Sequence, residues 1–347
     1  MANIRLRHSE PEGQTSHSAT HTTQLGNHAA HRTPSVTRPG HCLLCNCAST
    51  TPGPSTPRRP YICQRISNNM LQGQARIVIS GAGQGIGRAV ARHFASKGHK
   101  IYIVDINEDN VRYTAEEHLK EHAERVGWSK CNLRSVDDIR ATIKKAANFL
   151  DNRIDFLINN AGISSPYWKD GKTMADESVL DQWQAYVETN LTGPFVMSQA
   201  CIPYMKVEKE DEKSKLPESN VGTAGPCIIH VSSFRAFISD PNQEGYASTK
   251  AALLGLTQSM AVSLQSFGIR VNMISPGRIK VTHENPEADK EGEEWELDED
   301  DVETHPTNRA GRPEDITEGI EYLLGAGFVT AQNLVVDGGV SKVKGKA

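Results

Sequence analysis

The stretch "ARIVISGAGQGIGRAVARHFASKG" (Ala75–Gly98) predicts a strand, a glycine-rich turn and a helix in direct succession. Within it, Gly81, Gly85 and Gly87 follow a G-x-x-x-G-x-G spacing instead of the literal G-x-G-x-x-G fingerprint. A tight turn of this kind lets the backbone approach a pyrophosphate and aims helix N–H groups at its charge. The stretch therefore favours a nucleotide site, and a purely structural turn is the alternative.

The rest of the chain repeats this rhythm of a short apolar run followed by a longer helical stretch. The predicted strands are "ARIVIS" (Ala75–Ser80), "KIYIVD" (Lys100–Asp105), "GWSKCNL" (Gly127–Leu133), "IDFLINN" (Ile154–Asn160), "PCIIHVSS" (Pro226–Ser233), "IRVNMIS" (Ile269–Ser275) and "NLVVDGG" (Asn333–Gly339). Near-continuous apolar strands separated by helices are typical of a parallel sheet that is covered on both faces. We therefore predict fold class α/β, as a single doubly wound Rossmann domain with a seven-stranded parallel sheet.

Residues 1–69 differ from the rest of the chain in composition. They hold six of the 13 His residues and seven Arg against two acids, with no alternating or helical apolar pattern. We predict a disordered low-complexity extension followed by one folded domain over residues 70–347, and Met70 is a second candidate start. The Arg-rich, acid-poor composition is also compatible with a mitochondrial transit peptide, although Pro and His interrupt any amphipathic helix.

Charge and hydropathy argue against two classes of partner. The extension carries a net charge of +5, so residues 70–347 carry −9 within the total of −4. An acidic domain argues against a nucleic-acid partner, because phosphate contacts need clustered Lys and Arg. No apolar run reaches the roughly 18 residues of a membrane span, so we expect no membrane insertion either.

The seven cysteines form no disulfide framework. The "HCLLCNC" cluster (His41–Cys47) has loosely metal-like spacing but lacks a second pair of ligands, and we predict no metal site. The other cysteines are scattered singly, mostly beside apolar runs. We expect reduced thiols in a reducing compartment, the cytoplasm.

Asp105 ends the second predicted strand, 18 residues after Gly87. A carboxylate at this place accepts hydrogen bonds from the adenosine ribose hydroxyls and repels a 2′-phosphate. The neighbouring Gln84 and Ile106 offer no positive charge, so we predict NAD in preference to NADP. The alternative role of Asp105 is to cap the next helix from the end of its strand. The positive charge of Arg88, just after Gly87, leaves NADP as the alternative cofactor.

A second short stretch, "EGYASTKAALLGLTQSM" (Glu244–Met260), predicts a helix that places Tyr246 and Lys250 four residues apart. Side chains at positions i and i+4 share one helix face, so the phenol and the ammonium can meet at one point. This pair alone fits an exposed, solvated face as well as an active site. Other parts of the chain have to decide between the two.

Motifs spread over the chain converge on one family. They are "SGAGQGIG" (Ser80–Gly87), "NNAG" (Asn159–Gly162), "TNLTGPF" (Thr189–Phe195), "HVSSFRA" (His230–Ala236), "YASTK" (Tyr246–Lys250), "SPG" (Ser275–Gly277) and "VDGG" (Val336–Gly339). In these motifs and their order, the sequence resembles the short-chain dehydrogenase/reductase (SDR) family, Rossmann-fold NAD(P)-dependent oxidoreductases with an Asn-Ser-Tyr-Lys catalytic set. The resemblance makes Tyr246 and Lys250 part of a candidate active site.

The resemblance implies a role for each member of the catalytic set, Asn190, Ser233, Tyr246 and Lys250. Tyr246 would exchange a proton with the substrate oxygen, and the charge of Lys250 would lower the pKa of a phenol that ordinarily titrates near ~10. Ser233 would hydrogen-bond the same oxygen, with Ser232 as the alternative because successive strand residues face opposite ways. Asn190 would position a water between Lys250 and solvent.

The resemblance also implies the cofactor contacts. They fall on Gly81, Gln84, Gly85, Ile86, Gly87, Asp105, Asn132, Leu133, Asn160, Ala161, Gly162, Tyr246, Lys250, Pro276, Gly277 and Ile279. Three departures affect single contacts: Ser80 replaces the family's Thr, Asn132 replaces its Asp, and Val281 stands where Thr is usual. None of the three belongs to the catalytic set.

We therefore predict an NAD(P)-dependent oxidoreductase that transfers a hydride between the nicotinamide and a secondary alcohol or its ketone. A sugar, a polyol or a small hydroxy compound is favoured, because the segment Glu284–Thr304 holds 12 acids against one Lys and disfavours strongly anionic substrates. That segment is predicted as an exposed acidic loop, with a lid over the substrate as the alternative. The alternative function is a catalytically silent nucleotide-binding regulatory or scaffold protein on the same fold. The resemblance further implies a homodimer or homotetramer.

Overall fold

The computed structural model describes residues 71, 73–163, 168–205, 224–297 and 299–343. Three predictions concern residues outside these ranges: the extension over residues 1–69, the "HCLLCNC" cluster and Met70 as a start. Within the described ranges, no helix combines the length and the apolar character needed to cross a membrane. In the same ranges, no group of three or more His, Cys, Asp or Glu side chains is arranged to hold a metal ion.

In the described part of the chain, seven parallel strands form one sheet. The strands are β1 (Arg76–Ser80), β2 (Lys100–Asp105), β3 (Val126–Lys130), β4 (Phe156–Asn159), β5 (Cys227–Val231), β6 (Arg270–Pro276) and β7 (Asn333–Val336). Their order in the sheet is β3-β2-β1-β4-β5-β6-β7. The predicted seven-stranded, doubly wound parallel sheet is confirmed, and the bounds of each strand differ from the predicted ones by a few residues at most.

Helices connect the strands and cover both faces of the sheet. They are α1 (Gly85–Ser96), α2 (Glu108–Tyr113), α3 (Val136–Phe149), α4 (Leu180–Val187), α5 (Gly193–Met205), α6 (Glu244–Ser263), α7 (Pro286–Glu291), α8 (Glu299–Thr304) and α9 (Pro313–Gly325). A π-helical turn over Glu188–Thr192 joins α4 to α5, and a 3₁₀ turn over Phe234–Ala236 follows β5.

Alternate residues of each central strand enter two separate hydrophobic cores. In β1, Ile77 and Ile79 belong to a core shared with α1 and α9, whereas Val78 belongs to a core shared with α3, α5 and α6. The side chains of a strand point to opposite faces in turn, so a strand that is buried on both faces must be apolar throughout. This burial explains the near-continuous apolar runs from which the strands were predicted.

Polar residues of the predicted site gather at the carboxyl edge of the sheet. Ser80 ends β1, Asp105 ends β2 and Asn159 ends β4. β1 lies between β2 and β4, so the chain runs from β1 through β2 to β3 on one side and then crosses back to β4 on the other side of β1. In an open α/β sheet, such a switch point leaves a crevice outside the strand ends, which is where ligands bind.

Most described acids of the segment Glu284–Thr304 are exposed, as their charge predicted, but the segment is not simply a loop. It contains the short helices α7 and α8, and Pro286 and Ala288 are buried. The Glu284 side chain is only 1% exposed, because its carboxylate accepts hydrogen bonds from the Arg92 guanidinium of α1, one of them at 2.9 Å. A charge pair between residues far apart in sequence therefore draws the start of the segment onto α1.

Candidate active site

A cleft of about 630 Å³ opens at the carboxyl edge of the sheet, next to the glycine turn. Most of the predicted site residues line it: Gly81, Gln84, Gly85, Ile86, Asp105, Asn132, Leu133, Asn160, Ala161, Gly162, Ser233, Tyr246, Lys250, Pro276, Gly277 and Ile279. The predicted residues Gly87 and Asn190 lie outside this lining, in contact with residues that form it. The fold thus brings the predicted nucleotide turn and the predicted catalytic residues to one cavity.

The glycine turn has no room for side chains at the positions that approach other backbone. Gly81 has a φ of +67°, and a methyl group there would lie 2.6 Å from Ala161 Cα. A methyl group at Gly87 would lie 2.0 Å from the Gly81 carbonyl oxygen. The turn therefore presents bare backbone at the N-terminus of α1, where N–H groups lack intrahelical partners. This cradle fits the pyrophosphate of a dinucleotide.

Two neighbouring elements hold the glycine turn in place. The Gln84 side-chain oxygen accepts a hydrogen bond from Asn110 Nδ2 of α2 at 3.3 Å. The Gly85 N–H donates to the Glu284 carbonyl oxygen at 2.7 Å. The turn is therefore fastened to α2 on one side and to the start of the acidic segment on the other.

Ser80 ties the glycine turn to the loop after β4. Its buried Oγ accepts hydrogen bonds from the backbone N–H groups of Asn160 and Ala161, each at 3.2 Å. In return, Asn160 Nδ2 donates to the Ser80 and Gly81 carbonyl oxygens, at 3.2 and 2.9 Å. Sequence reasoning noted Ser80 only as a replacement for Thr, because the partners of its hydroxyl lie 80 residues away.

Both carboxylate oxygens of Asp105 accept backbone hydrogen bonds, one from the glycine turn and one from the loop before α2. Oδ2 accepts a hydrogen bond from the Gly83 N–H and Oδ1 accepts one from the Asn107 N–H, each at 3.0 Å. The cap of α2 is Asn107, whose side-chain oxygen accepts from the Asn110 N–H at 3.1 Å. The alternative role of Asp105 as the helix cap is therefore wrong. A carboxylate oxygen can accept a second hydrogen bond, and Asp105 lines the cleft.

Arg88, which kept NADP open in the sequence, does not line the cleft. Its side chain is fully buried on α1, where the guanidinium pairs with Asp289 of α7 and contacts the His118 ring at 2.6 Å. The buried Glu284 carboxylate lies 4.0 Å from Arg88 Nε. The carboxylates of Glu284 and Asp289 in the acidic segment therefore balance the positive charge of Arg88.

The chain after β6 forms another wall of the cleft with Pro276, Gly277 and Ile279. A methyl group at Gly277 would lie 2.6 Å from Asp337 Cα, so this wall packs directly on the loop after β7. Val281 lines the cleft as well, which places a hydrocarbon where the family usually offers a Thr hydroxyl.

Asn132 reaches the cleft from the turn after β3. Its backbone N–H donates to Asp138 Oδ2 at 2.7 Å, and its side-chain oxygen accepts from the Arg134 N–H at 3.0 Å. These bonds form a compact turn that presents Asn132 and Leu133 to the cavity. An amide therefore occupies the place of the family's carboxylate.

Ser233 and Tyr246 both line the cleft, and the Ser233 hydroxyl acts on the Tyr246 phenol by lowering its pKa. Ser233 immediately precedes the 3₁₀ turn Phe234–Ala236, which packs against α6, the helix that carries Tyr246. Ser232 instead donates its hydroxyl to the Lys250 carbonyl oxygen at 2.7 Å. Ser233 is therefore the serine that reaches Tyr246, because neighbouring residues of an extended chain point in opposite directions.

Lys250 lies one helical turn after Tyr246 on α6, and its side chain is buried. Its ammonium donates to the Val231 carbonyl oxygen at 3.0 Å and lies 5.8 Å from the centre of the Tyr246 ring. Burial lowers the pKa of Lys250 to about 8. An amine with a pKa near physiological pH is suited to accept and release protons.

Asn190 lies in the π-helical turn Glu188–Thr192, and only 1% of its surface is exposed. Its Oδ1 accepts from the Ile163 N–H at 2.8 Å, and its Nδ2 donates to the Ile163 carbonyl oxygen and to Thr249 Oγ1, each at 3.2 Å. A methyl group at Gly162 would lie 3.0 Å from Asn190 Oδ1. Asn190 thus fastens the loop after β4 to α6, and π turns of this kind are frequent at functional sites.

The pKa of Tyr246 is raised in the structure, not lowered as the sequence predicted. Burial is the largest cause, while the hydrogen bond with Ser233 and the positive charge of Arg235 act in the opposite direction. Lys250 points its ammonium at a backbone carbonyl, and burial disfavours the charged form of that ammonium. Helix spacing alone could not show this burial, which outweighs the effects that lower the pKa of Tyr246.

Tyr186 is a neighbour of the site that sequence reasoning missed. It lies on α4 with 1% of its surface exposed, and its ring meets the Trp168 ring edge-on with 6.0 Å between centroids. A methyl group at Gly245 would lie 2.5 Å from the Tyr186 ring, so Tyr186 packs on the start of α6. The available signal was its position four residues before Asn190, on the same helical face.

Comparisons with known proteins agree with this architecture. A family model described as "Enoyl-(Acyl carrier protein) reductase" matches residues 81–341. An uncharacterized oxidoreductase of Thermotoga maritima is 34% identical over 275 residues, which cover 78% of this chain and 97% of that protein. A 3-oxoacyl-(acyl-carrier-protein) reductase of the same organism is 30% identical over 271 residues, 76% of this chain and 96% of that protein.

A solved structure of 7α-hydroxysteroid dehydrogenase with NADH and 7-oxo glycochenodeoxycholic acid is similar in fold, with a TM-score of 0.62. It is 28% identical, and the match covers 78% of this chain and 96% of that chain. The relatives with an assigned activity are enzymes that interconvert hydroxyl and carbonyl groups. The family match, these relatives and the shared parallel sheet show that the chain belongs to the short-chain dehydrogenase/reductase family of NAD(P)-dependent oxidoreductases.

Proposed function

We propose that this protein transfers a hydride between a nicotinamide cofactor and the carbon of a secondary alcohol or its ketone, with Tyr246 exchanging the proton. The observation that carries the proposal is that Ser233, Tyr246 and Lys250 line the same cleft as the glycine turn. A proton carrier and a dinucleotide cradle border one cavity, which is what a hydride transfer coupled to a proton transfer requires.

The proposed chemistry divides the work between two side chains. In alcohol oxidation, Tyr246 takes the proton of the substrate hydroxyl, while Ser233 donates a hydrogen bond to the same oxygen. When bound, the oxidised nicotinamide accepts the hydride from the substrate carbon. In the reverse direction Tyr246 donates the proton, and its raised pKa keeps the phenol protonated at neutral pH.

Lys250 and Asn190 complete the proton path in this proposal. Lys250, whose pKa burial lowers to about 8, lies one turn along α6 from Tyr246 and exchanges protons with it. Asn190 holds the Ile163 backbone against Thr249 and thereby shapes the space beside Lys250. We infer that a water in this space connects Lys250 to solvent.

We infer NAD in preference to NADP as the cofactor. The Asp105 carboxylate lines the cleft and places a negative charge where a 2′-phosphate would have to bind. Arg88, the cation that kept NADP open, is buried and paired with Asp289. The structure therefore supports the charge argument that favoured NAD in the sequence.

Asp105→Asn should shift this preference towards NADP. The amide oxygen keeps an acceptor for one of the Gly83 and Asn107 N–H groups, the other N–H loses its acceptor, and the charge is removed, so repulsion of a 2′-phosphate disappears and the ribose bonds weaken. We expect the ratio of kcat/KM for NAD to that for NADP to fall by roughly 10-fold or more. Saturation curves for both cofactors measure it, with Asp109→Asn on the exposed face of α2 as the control. An unchanged ratio would contradict the role of Asp105.

For the substrate we favour a sugar, a polyol or another small hydroxy compound. The acidic segment begins beside the glycine turn, because the Glu284 carbonyl oxygen bonds the Gly85 N–H. Its carboxylates create a negative potential near the cleft that disfavours anionic substrates. The assigned relatives carry names for acyl-carrier-protein and steroid substrates, and both classes belong in the test as competitors.

We propose a homodimer or homotetramer. Leu180 of α4, Phe195 of α5 and Val262 of α6 are 66%, 46% and 73% exposed. Large apolar side chains exposed on neighbouring helices are typical of a surface that another subunit covers. A mass of one chain at micromolar concentration in light scattering would contradict this assembly.

We also place the protein in the cytoplasm. The described cysteines Cys131, Cys201 and Cys227 are buried free thiols, and burial raises the pKa of each. Protonated, unpaired thiols suit a reducing compartment.

The test of the proposed function is NADH formation on a panel of secondary alcohols, sugars, polyols and hydroxysteroids, with NAD and NADP offered separately. We expect turnover with NAD, highest for a polyol, a sugar or a small hydroxy compound. A preference for hydroxysteroids would overturn the substrate class. Absence of turnover on the whole panel with intact NADH binding would contradict the proposed activity and favour a silent nucleotide-binding protein.

A further inference from the structure

A backbone hydrogen bond joins the glycine turn to the start of the acidic segment. The Gly85 N–H, at the first position of α1, donates to the Glu284 carbonyl oxygen at 2.7 Å. Gly85 has a φ of +62° and lines the cleft. The position of Glu284 therefore bears directly on the conformation of the turn that fits a pyrophosphate.

The backbone of Glu284 is also bonded to the neighbouring wall of the cleft. Its N–H donates to the Val281 carbonyl oxygen at 3.0 Å, which closes a turn of four residues. Val281 lines the cleft, and its Cγ2 lies 4.0 Å from the position that a Cβ of Gly85 would take. Glu284 is thus bonded to one cleft-lining residue through its N–H and to another through its carbonyl oxygen.

The Glu284 side chain holds this backbone on α1. It is 1% exposed, and both carboxylate oxygens accept hydrogen bonds from the Arg92 guanidinium, one of them at 2.9 Å. Arg92 lies two helical turns after Gly85 on the same helix. A bidentate pair of guanidinium and carboxylate fixes the relative orientation of its partners as well as their distance. The ion pair therefore determines where the Glu284 backbone meets the glycine turn.

Other charged groups lie around this pair at longer distances or with greater exposure. His283 Nε2 lies 3.8 Å and Arg88 Nε 4.0 Å from the Glu284 carboxylate. The Arg92 guanidinium also pairs with Glu314 of α9 at 3.0 Å, and the Glu314 side chain is 56% exposed. Glu284 and Glu314 therefore share one cation, and of the two it is Glu284 that is bonded to the glycine turn.

We propose that Glu284 is a positioning residue for the cofactor, because its buried ion pair with Arg92 holds the turn Val281–Glu284 on α1 and thereby fixes the Gly85 backbone in the shape that receives a pyrophosphate. The inference rests on the proposed function, in which a dinucleotide binds the cleft. A glycine turn that is not held has to be ordered by the ligand, which lowers the affinity.

The first test is the dissociation constant of NADH, read from nicotinamide fluorescence. Arg92→Met leaves the Glu284 carboxylate buried without its hydrogen-bonded cation, so the start of the acidic segment should move towards water. Glu284→Gln leaves one side-chain oxygen for two guanidinium donors and turns an NH₂ group towards the other. We expect each variant to raise the dissociation constant by roughly 5- to 10-fold.

The sign of the two effects separates positioning from long-range electrostatics. Arg92→Met removes a positive charge and Glu284→Gln removes a negative one, so a pure charge effect on the phosphates would act in opposite directions. Weaker binding in both variants supports the inference, and opposite changes overturn it. Glu314→Gln is the matched control, because it removes a negative charge from the same guanidinium and should leave the dissociation constant within about twofold.

Two smaller ligands show where in the cleft the affinity is lost. ADP contains the pyrophosphate, whereas adenosine keeps the ribose and the adenine without it. Competition with NADH measures both. The inference requires Arg92→Met and Glu284→Gln to weaken ADP as they weaken NADH and to leave adenosine unchanged. Equal losses for ADP and adenosine would indicate general damage to the cleft and overturn the inference.

A readout without any ligand distinguishes the failure of this inference from the failure of the proposed function. Hydrogen exchange at the Gly85 N–H, resolved by mass spectrometry with fragmentation, reports the bond to the Glu284 carbonyl oxygen. Exchange should be roughly tenfold faster or more in Arg92→Met and Glu284→Gln, and unchanged in Glu314→Gln. If no alcohol is oxidised, the proposed activity fails, while the exchange rates and NADH affinities still decide the role of Glu284. A wild-type exchange rate in all three variants overturns it.

Discussion

Tyr246→Phe should lower kcat for alcohol oxidation by roughly 10²–10⁴-fold, because the ring remains while the group that carries the proton is removed. The phenol lies at the cleft, where the described lining holds Lys250 and Ser233 as the other proton-bearing members of the catalytic set. Neither can replace the phenol, since Ser233 is not a base near neutral pH and Lys250 is turned to the Val231 carbonyl oxygen. Stopped-flow and steady-state assays with the best alcohol of the panel measure the loss.

The same variant should keep its fold and its cofactor site. It loses only the phenol hydroxyl and keeps the ring, so the free energy of unfolding should change by at most about 1.5 kcal/mol, the scale of one hydrogen bond. NADH binding, read from nicotinamide fluorescence, should be retained. Tyr322→Phe, at a 45% exposed position on α9, is the matched control and should leave kcat unchanged. A loss of less than about tenfold in Tyr246→Phe would contradict the assignment of the proton carrier.

Gly87→Ala should weaken cofactor binding by roughly 10- to 100-fold, the equivalent of about 1–3 kcal/mol of overpacking. The added methyl group would lie 2.0 Å from the Gly81 carbonyl oxygen and 2.4 Å from Asn160 Nδ2. The Gly81 carbonyl oxygen belongs to the glycine turn, and Asn160 Nδ2 links that turn to the loop after β4 by donating to this oxygen. Both atoms therefore have to move away from the added methyl group. The turn then no longer matches the shape of a pyrophosphate at the N-terminus of α1.

Fluorescence titration with NADH gives the dissociation constant, and thermal unfolding gives the stability of the same variant. Gly255→Ala, also within a helix, is the matched control because a methyl group there meets nothing within 4 Å. At equal protein concentration it should raise the melting temperature slightly, since Gly inside a helix costs about 0.5–1 kcal/mol relative to Ala. Equal NADH affinities in the two variants would show that the crowded glycine turn is not the cofactor cradle.

The architecture could be predicted from the sequence because its signals are local. The strand "KIYIVD" was predicted with its observed bounds, Lys100–Asp105, since burial on both faces leaves an apolar run that needs no knowledge of distant residues. The glycine turn was recognised for a similar reason, because Gly81 and Gly87 mark positions where backbone meets backbone. The bounds of β3 and β7 were less accurate, because hydrogen-bonded pairing, and not composition, ends a strand.

The acidic segment shows where composition misleads. Its charge predicted exposure, which holds for most of its described acids, yet Glu284 is buried against Arg92. Arg88 is a second example, because it reads as a candidate phosphate ligand beside the glycine turn and is instead paired with Asp289, 201 residues later. The sequence gives the number of charged residues in a segment, but only the folded chain determines which of them form ion pairs.

The sequence by itself determined the fold class, the family and most of the candidate residues that border the cleft, because periodicity and ordered motifs are properties of the chain. Tertiary structure alone decided that Ser233 and not Ser232 reaches Tyr246, and that Asn107 and not Asp105 caps α2. It also decided that the phenol of Tyr246 is buried, which raises its pKa. A pKa depends on burial and on the distances between charges, and both come into existence only when β5, α4 and α6 pack together.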